Sequence, residues 1–327
     1  MPTPHVLITG GSRGIGLAIA HLFARNSYRC TLVSRSEAPL QSAVSALNEK
    51  YPLPSSSSPH AYIAGSVSSP SFWSQDGIGK ALSSSSPSPS FSSSSSSSSS
   101  SPIPTPANAN NKIDVLVNCA GISQRSLFAK TSPDQIQNIV DTNLTGVMLG
   151  TRFLLRNRYF GTGRGEEPGS NNRCIVNVAS LLGTHGGYGA VAYAASKAGV
   201  LGFTRGLAGE LGRGGVRVNA VVPGYVETGM VEGMYMICNL HGGWGGRFGG
   251  DCFLLDGDLG ALGAMLVESF TNHMMYFTDL DHEALSARIP LGRFAKPEEI
   301  ASAALFLAQN EYAHNCVINL DGGLSAV

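Results

Sequence analysis

The sequence predicts an α/β domain: a doubly wound, seven-stranded, mostly parallel sheet with helices on both faces. Three observations carry that reading. Seven short runs are apolar throughout instead of alternating with polar residues, the pattern of strands buried on both faces of a parallel sheet. Stretches of helical character lie between the runs, and right-handed crossovers then wind the sheet in two directions. A hydrophobic content of 43% over 327 residues supplies a core for one large domain, residues 1–327.

The elements follow in order. "HVLIT" (5–9) is the first strand and runs into "GGSRGIG", which opens a helix over 14–26. "CTLVS" (30–34) precedes a helix over 37–50, and "AYIAG" (61–65) is the third strand. "IDVLVN" (113–118) precedes a helix over 133–157, and "CIVNVAS" (174–180) precedes one over 192–212. That last helix begins in "AVAYAASKAGV", rich in Ala, the strongest helix former. "VRVNAVV" (216–222), a helix over 297–309 and "CVINL" (316–320) complete the pattern.

Three segments interrupt it. Residues 83–101 hold sixteen serines in nineteen positions, too little apolar surface to offset ordering entropy, so 83–111 is expected to be a disordered insertion. Residues 159–173, "YFGTGRGEEPGSNNR", read as a polar Gly-rich loop. Residues 233–278 show no steady period. They read either as a lid beside the site or as a retained intron, because their removal keeps frame and fuses "GYVETGMVE" to "DLDHEALSARIPLGRF". Transcript reads across the segment distinguish the two.

Formal net charge is zero and only 13% of residues are charged, which points away from nucleic-acid and membrane-surface binding. Six cysteines form no C-x-x-C pair and read as reduced thiols of an intracellular protein. The eight histidines lack metal-ligand spacing, so no metal site is expected. The first apolar run spans five residues, which leaves no room for a secretory segment. No uninterrupted apolar run approaches the ~18 residues of a membrane span.

The chemistry begins in the glycine loop. Gly10, Gly14 and Gly16, with Ser12, Arg13 and Ile15 between them, lie where a strand turns into a helix. Glycine there permits a tight turn and close approach of a pyrophosphate to backbone N–H groups at a helix N-terminus. The second strand ends in Ser34 and Arg35, with no carboxylate at that point for a ribose 2′-hydroxyl. Two guanidiniums and a hydroxyl suit a 2′-phosphate and favour NADP(H); the alternative is a solvated Arg35 paired with Glu37. Tyr193 and Lys197 share a helix face, being four positions apart. That pair is either packing plus a surface lysine or a phenol whose pKa an ammonium lowers. Ser180 closes the fifth strand, and ligands bind beyond the carboxyl ends of such strands.

T-G-x-x-x-G-I-G at 9–16, N-x-A-G at 118–121, Asn143, Ser180, Y-x-x-x-K at 193–197 and P-G at 223–224 stand in the order of the short-chain dehydrogenase/reductase family. The sequence resembles that family from residue 5 onward, apart from the three insertions. "VNCAGISQRSL", "PGYVETGM", "IPLGRFAKPEEIA" and "DGGL" look most like β-ketoacyl-acyl-carrier-protein reductases, with quinone and carbonyl reductases very similar.

The resemblance implies a Rossmann-type fold and a hydride transfer in which Tyr193 is the general acid. Lys197 would lower the phenol's pKa and hold ribose hydroxyls, Ser180 would bind the substrate oxygen, and Asn143 would hold a proton-relaying water. Ser66, Val67, Asn118, Ala120 and Gly121 would join the cofactor site, with Pro223, Gly224, Val226 and Thr228 on its nicotinamide side. The implied activity is NADPH-dependent reduction of a β-ketoacyl thioester. The alternatives are a carbonyl or quinone reductase of small molecules, or a slow NADP-binding regulatory protein. An acyl carrier protein is the candidate partner, a homotetramer the expected assembly, and the cytoplasm or the mitochondrial matrix the expected compartment. Cys119 and Ser66 depart from the family's usual Asn and Asp. Arg205, Arg213, Arg152, Arg156 and Arg158 are candidate carrier contacts, but Gly209 stands where a basic residue is expected.

Overall fold

The computed structural model describes residues 3–83, 112–124, 126–160, 173–229 and 282–327. Residues 84–111, 161–172 and 230–281 lie outside this description, and with them most of the first two expected insertions and all of the third.

Seven strands form one sheet in the order β3-β2-β1-β4-β5-β6-β7. They are β1 His5–Thr9, β2 Arg29–Ser34, β3 Ala61–Ala64, β4 Val115–Asn118, β5 Arg173–Val178, β6 Val216–Pro223 and β7 Val317–Leu320. Every ladder among them is parallel. The chain starts at the centre, winds outward to β3, crosses back to β4 and continues to β7. The crevice beside β1 and β4 is therefore the switch point where ligands bind in open α/β sheets.

The helices include α1 Gly14–Arg25, α2 Glu37–Lys50, α3 Lys80–Ser83, α4 Pro133–Val140, α5 Gly146–Arg156, α6 Leu182–His185, α7 Val191–Leu211 and α8 Pro297–Gln309. Alternate strand residues feed two cores. Val6, Ile8, Val115 and Val117 pack with Ile19 and Phe23 of α1, Leu40 of α2 and Leu307 of α8. Leu7, Leu116, Ile175 and Val218 pack on the other face with Phe153 and Leu154 of α5 and Ala208 of α7. In the central strands a residue turned either way meets a helix, which is why those runs are apolar throughout, whereas edge strand β7 leaves Val317 and Asn319 exposed.

Two expectations need correction. The helix expected over 133–157 is broken: Asp141–Thr145 forms a wide π-turn between α4 and α5. The Asn143 side chain drives this, being drawn out of the helix to bond the β4 loop, and π-turns of this kind often occur at functional sites. The loop expected over 159–173 begins late and ends early. Tyr159 and Phe160 are buried in the second core, Tyr159 stacks on Phe153 with centroids 5.8 Å apart, and Arg173 opens β5.

Candidate active site

The carboxyl ends of the strands open on a cavity of about 590 Å³, within the range of small-molecule and cofactor sites. The glycine loop forms its floor. Gly10 has φ +71° and its N–H donates to Val33 O at 2.8 Å. A Cβ on Gly10 would stand 2.8 Å from the Ala120 backbone, and one on Gly16 would overlap the Gly10 carbonyl. Glycine is required here by close approach of β1, α1 and the end of β4. Thr9 Oγ1 ties the same corner together by accepting from Cys119 N at 3.1 Å and Ala120 N at 3.2 Å. Arg13 sits at the N-cap of α1 without a side-chain cap bond. The first turn, with Gly14, Ile15 and Gly16 on the cavity wall, therefore offers N–H donors and the positive end of the helix dipole. A pyrophosphate fits this cradle.

Ser12, Arg13, Ser34, Arg35, Ser66 and Val67 line the adjoining part of the wall. Ser12 Oγ donates to Ser34 Oγ at 3.0 Å. Arg13 and Arg35 are exposed. Glu37, the alternative partner of Arg35, accepts instead from Tyr62 Oη at 3.1 Å and Gln41 Nε2 at 3.3 Å. Ser66 Oγ pairs with Ser68 Oγ at 2.9 Å.

At the other end Ser180, Tyr193 and Lys197 meet on the cavity wall beside Ala120, Gly121, Pro223, Gly224, Val226 and Thr228. All three reactive side chains are buried. Lys197 Nζ lies 5.8 Å from the Tyr193 ring centroid and donates to Val178 O at 2.8 Å. Burial pulls the ammonium down to about 8, with Cys119 pulling it back up. Burial also pushes the Tyr193 phenol up, while its hydrogen bond with Ser180 pulls it down and Cys119 adds to the rise. The lowering expected from Lys197 together with an oxidised nicotinamide does not set the direction in the protein alone, where burial does. Both groups lie in one dry pocket, where desolvation of the charged form outweighs the other influences on the phenol.

Asn143 and Asn118 are brought to the site but do not form its wall. Asn143 Oδ1 accepts from Ile122 N at 2.8 Å, and its Nδ2 donates to Ile122 O at 2.9 Å and to Ser196 Oγ at 3.1 Å. The side chain expected to hold a water is spent on clamping the loop after β4. Asn118 Nδ2 donates to Asn177 Oδ1 at 2.9 Å and to Thr151 Oγ1 at 3.3 Å, which places it in a polar network beneath the cavity. Gly121 passes between the two halves: a Cβ there would lie 3.4 Å from Asn143 Oδ1 and 3.5 Å from Lys197 Nζ.

A family model described as short chain dehydrogenase matches residues 4–71 and 105–235. The chain belongs to that family. It is an oxidoreductase of Rossmann-type fold. It is 27% identical over 319 residues to carbonyl reductase family member 4 of Xenopus laevis, covering 97% of this chain and 96% of that one. It is 29% identical over 321 residues to a 3-oxoacyl-[acyl-carrier-protein] reductase of Chlamydia muridarum, covering 98% and 96%. Among solved structures it is similar to a variant of actinorhodin polyketide ketoreductase with NADPH, at TM-score 0.71 and 26% identity over 100% of both chains.

In this short-chain dehydrogenase the sequence reading missed several groups at the site. Ser123, Asn138 and Thr142 give the cavity polar lining between the β4 loop and the α4 region. Thr9 opens the T-G-x-x-x-G-I-G motif, but the bonds its hydroxyl accepts from Cys119 N and Ala120 N were not foreseen. Gln124, which bonds the start of α7, carries no local pattern at all. Among the described residues no group of His, Cys, Asp and Glu could hold a metal ion, and no helix is long and apolar enough to cross a membrane.

Proposed function

We propose that this protein reduces a ketone with NADPH, and that the ketone is a β-ketoacyl thioester. The observation that carries the reading is the convergence of Ser180, Tyr193 and Lys197 on the same cavity as the glycine cradle. The ketoreductase and 3-oxoacyl reductase names of similar proteins support the substrate class, and Ser34, Arg35 and Arg13 at the cavity support the 2′-phosphate.

Bound NADPH supplies the hydride. Ser180 holds the carbonyl oxygen by a hydrogen bond and fixes its angle, and Tyr193 donates the proton to that oxygen. A phenol is protonated near neutrality even unshifted, and burial pushes it in the same direction, which suits reduction. Lys197 spends one of its three N–H donors on Val178 O and has two left for ribose hydroxyls. Asn143 holds the loop that carries Gly121, so its part in proton supply does not run through its side-chain amide.

Arg152, Arg156, Arg205 and Arg213 are exposed on α5, on α7 and just beyond α7 and would meet an acidic carrier protein. Added Cβ atoms at Gly202, Gly206 and Gly209 would meet nothing within 4 Å. That open face of α7 suits close helix contact in the homotetramer we propose. The cytoplasm or mitochondrial matrix remains the proposed compartment. A carbonyl reductase of small molecules is the second reading, favoured by Gly209 in place of a basic residue.

The test is NADPH oxidation with an acetoacetyl thioester, free and carrier-bound, and with a quinone. Tyr193→Phe should lower kcat by at least ~10²-fold, as expected for loss of a general acid. Turnover of the quinone alone would favour the second reading. Full activity of the Phe variant would remove Tyr193 from its role.

A further inference from the structure

We propose that Gln124 is a positioning residue: it caps the helix bearing Tyr193 and thereby fixes the phenol in the site. The inference rests on the reading of Tyr193 as the acid. It begins with a deficiency in α7. The N-cap of that helix is Ala190, which has no side-chain acceptor, yet the first-turn N–H groups of a buried helix need partners. Cap acceptors normally reach the second and third helical residues, here Ala192 and Tyr193. Gln124, 68 positions earlier than Ala192, supplies the missing acceptor. Its Oε1 lies 2.8 Å from Ala192 N and 3.4 Å from Tyr193 N.

The other half of the amide points the opposite way. Nε2 donates to Ser126 O at 2.8 Å and to Thr131 Oγ1 at 3.1 Å. The two helix N–H groups must face an oxygen and the Ser126 carbonyl must face an N–H, so only one orientation of the amide satisfies all four bonds. Gln124 is buried. It therefore welds the loop after β4, which Asn143 clamps at Ile122, to the backbone of Tyr193 itself. Ser196, one turn further along α7, also bonds Asn143 at 3.1 Å and Tyr193 O at 2.6 Å. Tyr193 is held at both its N–H and its carbonyl by groups tied to the same loop. A neutral amide is the suitable capping group, because a carboxylate there would place a like charge beside any phenolate.

Three variants of the full chain test this: Gln124→Leu, Gln124→Glu and Tyr193→Phe. Gln124→Leu removes the cap and should lower kcat at least ~10-fold, since small misplacement of a reacting group is costly. Its NADPH Kd, read by nicotinamide fluorescence, should stay within ~2-fold of the parent, the pattern of an interaction felt mainly in the transition state. Gln124→Glu restores an acceptor and should recover part of the lost kcat. It should also move the acid limb of the reverse, alcohol-oxidising reaction to higher pH, because that reaction needs the phenolate and the added carboxylate disfavours it. Parental kcat in the Leu variant overturns the proposal. So does a Glu variant as slow as the Leu variant with an unmoved pH limb. Where the Leu variant fails to fold, the Glu variant's pH limb decides. An active Tyr193→Phe enzyme overturns the acid assignment instead, and the two failures are thereby told apart.

Discussion

The two ends of this parallel sheet handle buried polarity in opposite ways. At the amino end polar groups close on one another. His5 N donates to Asp114 Oδ2 at 2.7 Å, Arg29 Nη2 lies 2.7 Å from His5 Nδ1, and His5 Nε2 lies 2.8 Å from Thr31 Oγ1. A guanidinium only donates, so Nδ1 accepts and Nε2 carries the proton to Thr31. Lys112 O, 3.1 Å from the same Nδ1, is then a neighbour and not a partner. At the carboxyl end Ser180, Tyr193 and Lys197 keep polar atoms turned toward a cavity. One end of the sheet uses its polarity for register and stability. The other leaves part of its polarity facing the cavity, beyond the bonds of Lys197 to Val178 O and of Leu182 N to Ser180 Oγ, the arrangement expected where stability is traded for function.

The comparison breaks most visibly at Lys197. Its folded pKa of about 8 lies below the ordinary 10.5, so the unfolded chain binds the proton more tightly. The charge therefore destabilises the fold below pH 8, and the penalty is relieved as pH rises from about 8 to 10.5. At ~1.36 kcal/mol per unit, the shift corresponds to about 3 kcal/mol. Lys197→Met should cut kcat by at least ~10²-fold and yet raise the melting temperature at pH 7. A calorimetric scan that finds the variant less stable than the parent would mean that Lys197 is a structural group like those at the amino end.

His5, at the amino end, is lowered in the same direction, with a smaller effect over the accessible pH range. Burial, aided by Arg29, pulls its imidazole down to about 3. The folded state therefore keeps His5 neutral while the unfolded chain takes up a proton below pH 6.5. Stability from this site is present in full above pH 6.5 and is lost as pH falls toward 3. The loss reaches about 2 kcal/mol by pH 5. His60 is pulled down by burial as well and adds in the same direction. Urea midpoints measured from pH 7 to pH 5 should fall for the parent and fall less for His5→Gln. Turnover at pH 7 should be unchanged in that variant, because His5 lies at the opposite end of the sheet from the cavity. Equal slopes would show that His5 is not held neutral.

The same contrast explains what the sequence made legible. The central strands were readable because they are apolar on both faces, a local property of a few consecutive residues. That the glycine loop, Ser180 and the Tyr193–Lys197 pair would share one cavity was readable because their placement comes from fixed spacing on one strand, turn or helix. The wide turn at 141–145 was not, since its cause is a bond from Asn143 to Ile122, a loop residue 21 positions away. Gln124 was hidden for the same reason. Asn118 and Asn143 were placed correctly along the chain but not in orientation, because an amide in either direction leaves the same letter. The burial that pushes the phenol up in the protein alone was not legible either, since burial is a property of the assembled pocket.

The last and smallest effect concerns the rim, where the cavity meets solvent and the contrast fades. Arg35 is exposed and Glu37 is engaged with Tyr62 and Gln41. On the proposed reading, the Arg35 guanidinium would meet a ribose 2′-phosphate without first breaking an ion pair with Glu37. Solvent and salt screen such a contact, so it is weaker than the buried groups below it. A charge-assisted hydrogen bond of this kind is worth roughly 1.5 kcal/mol, about 10-fold in preference between NADPH and NADH. Arg35→Leu should lower the ratio of kcat/KM for NADPH over NADH by that factor, almost entirely through NADPH. Raising salt should narrow the parent's ratio and leave the variant's nearly fixed. An unchanged ratio in the variant would assign the phosphate to Arg13 or Ser34. Equal losses with both cofactors would instead give Arg35 a part in shaping the rim, the kind of structural work otherwise done at the far end of the sheet.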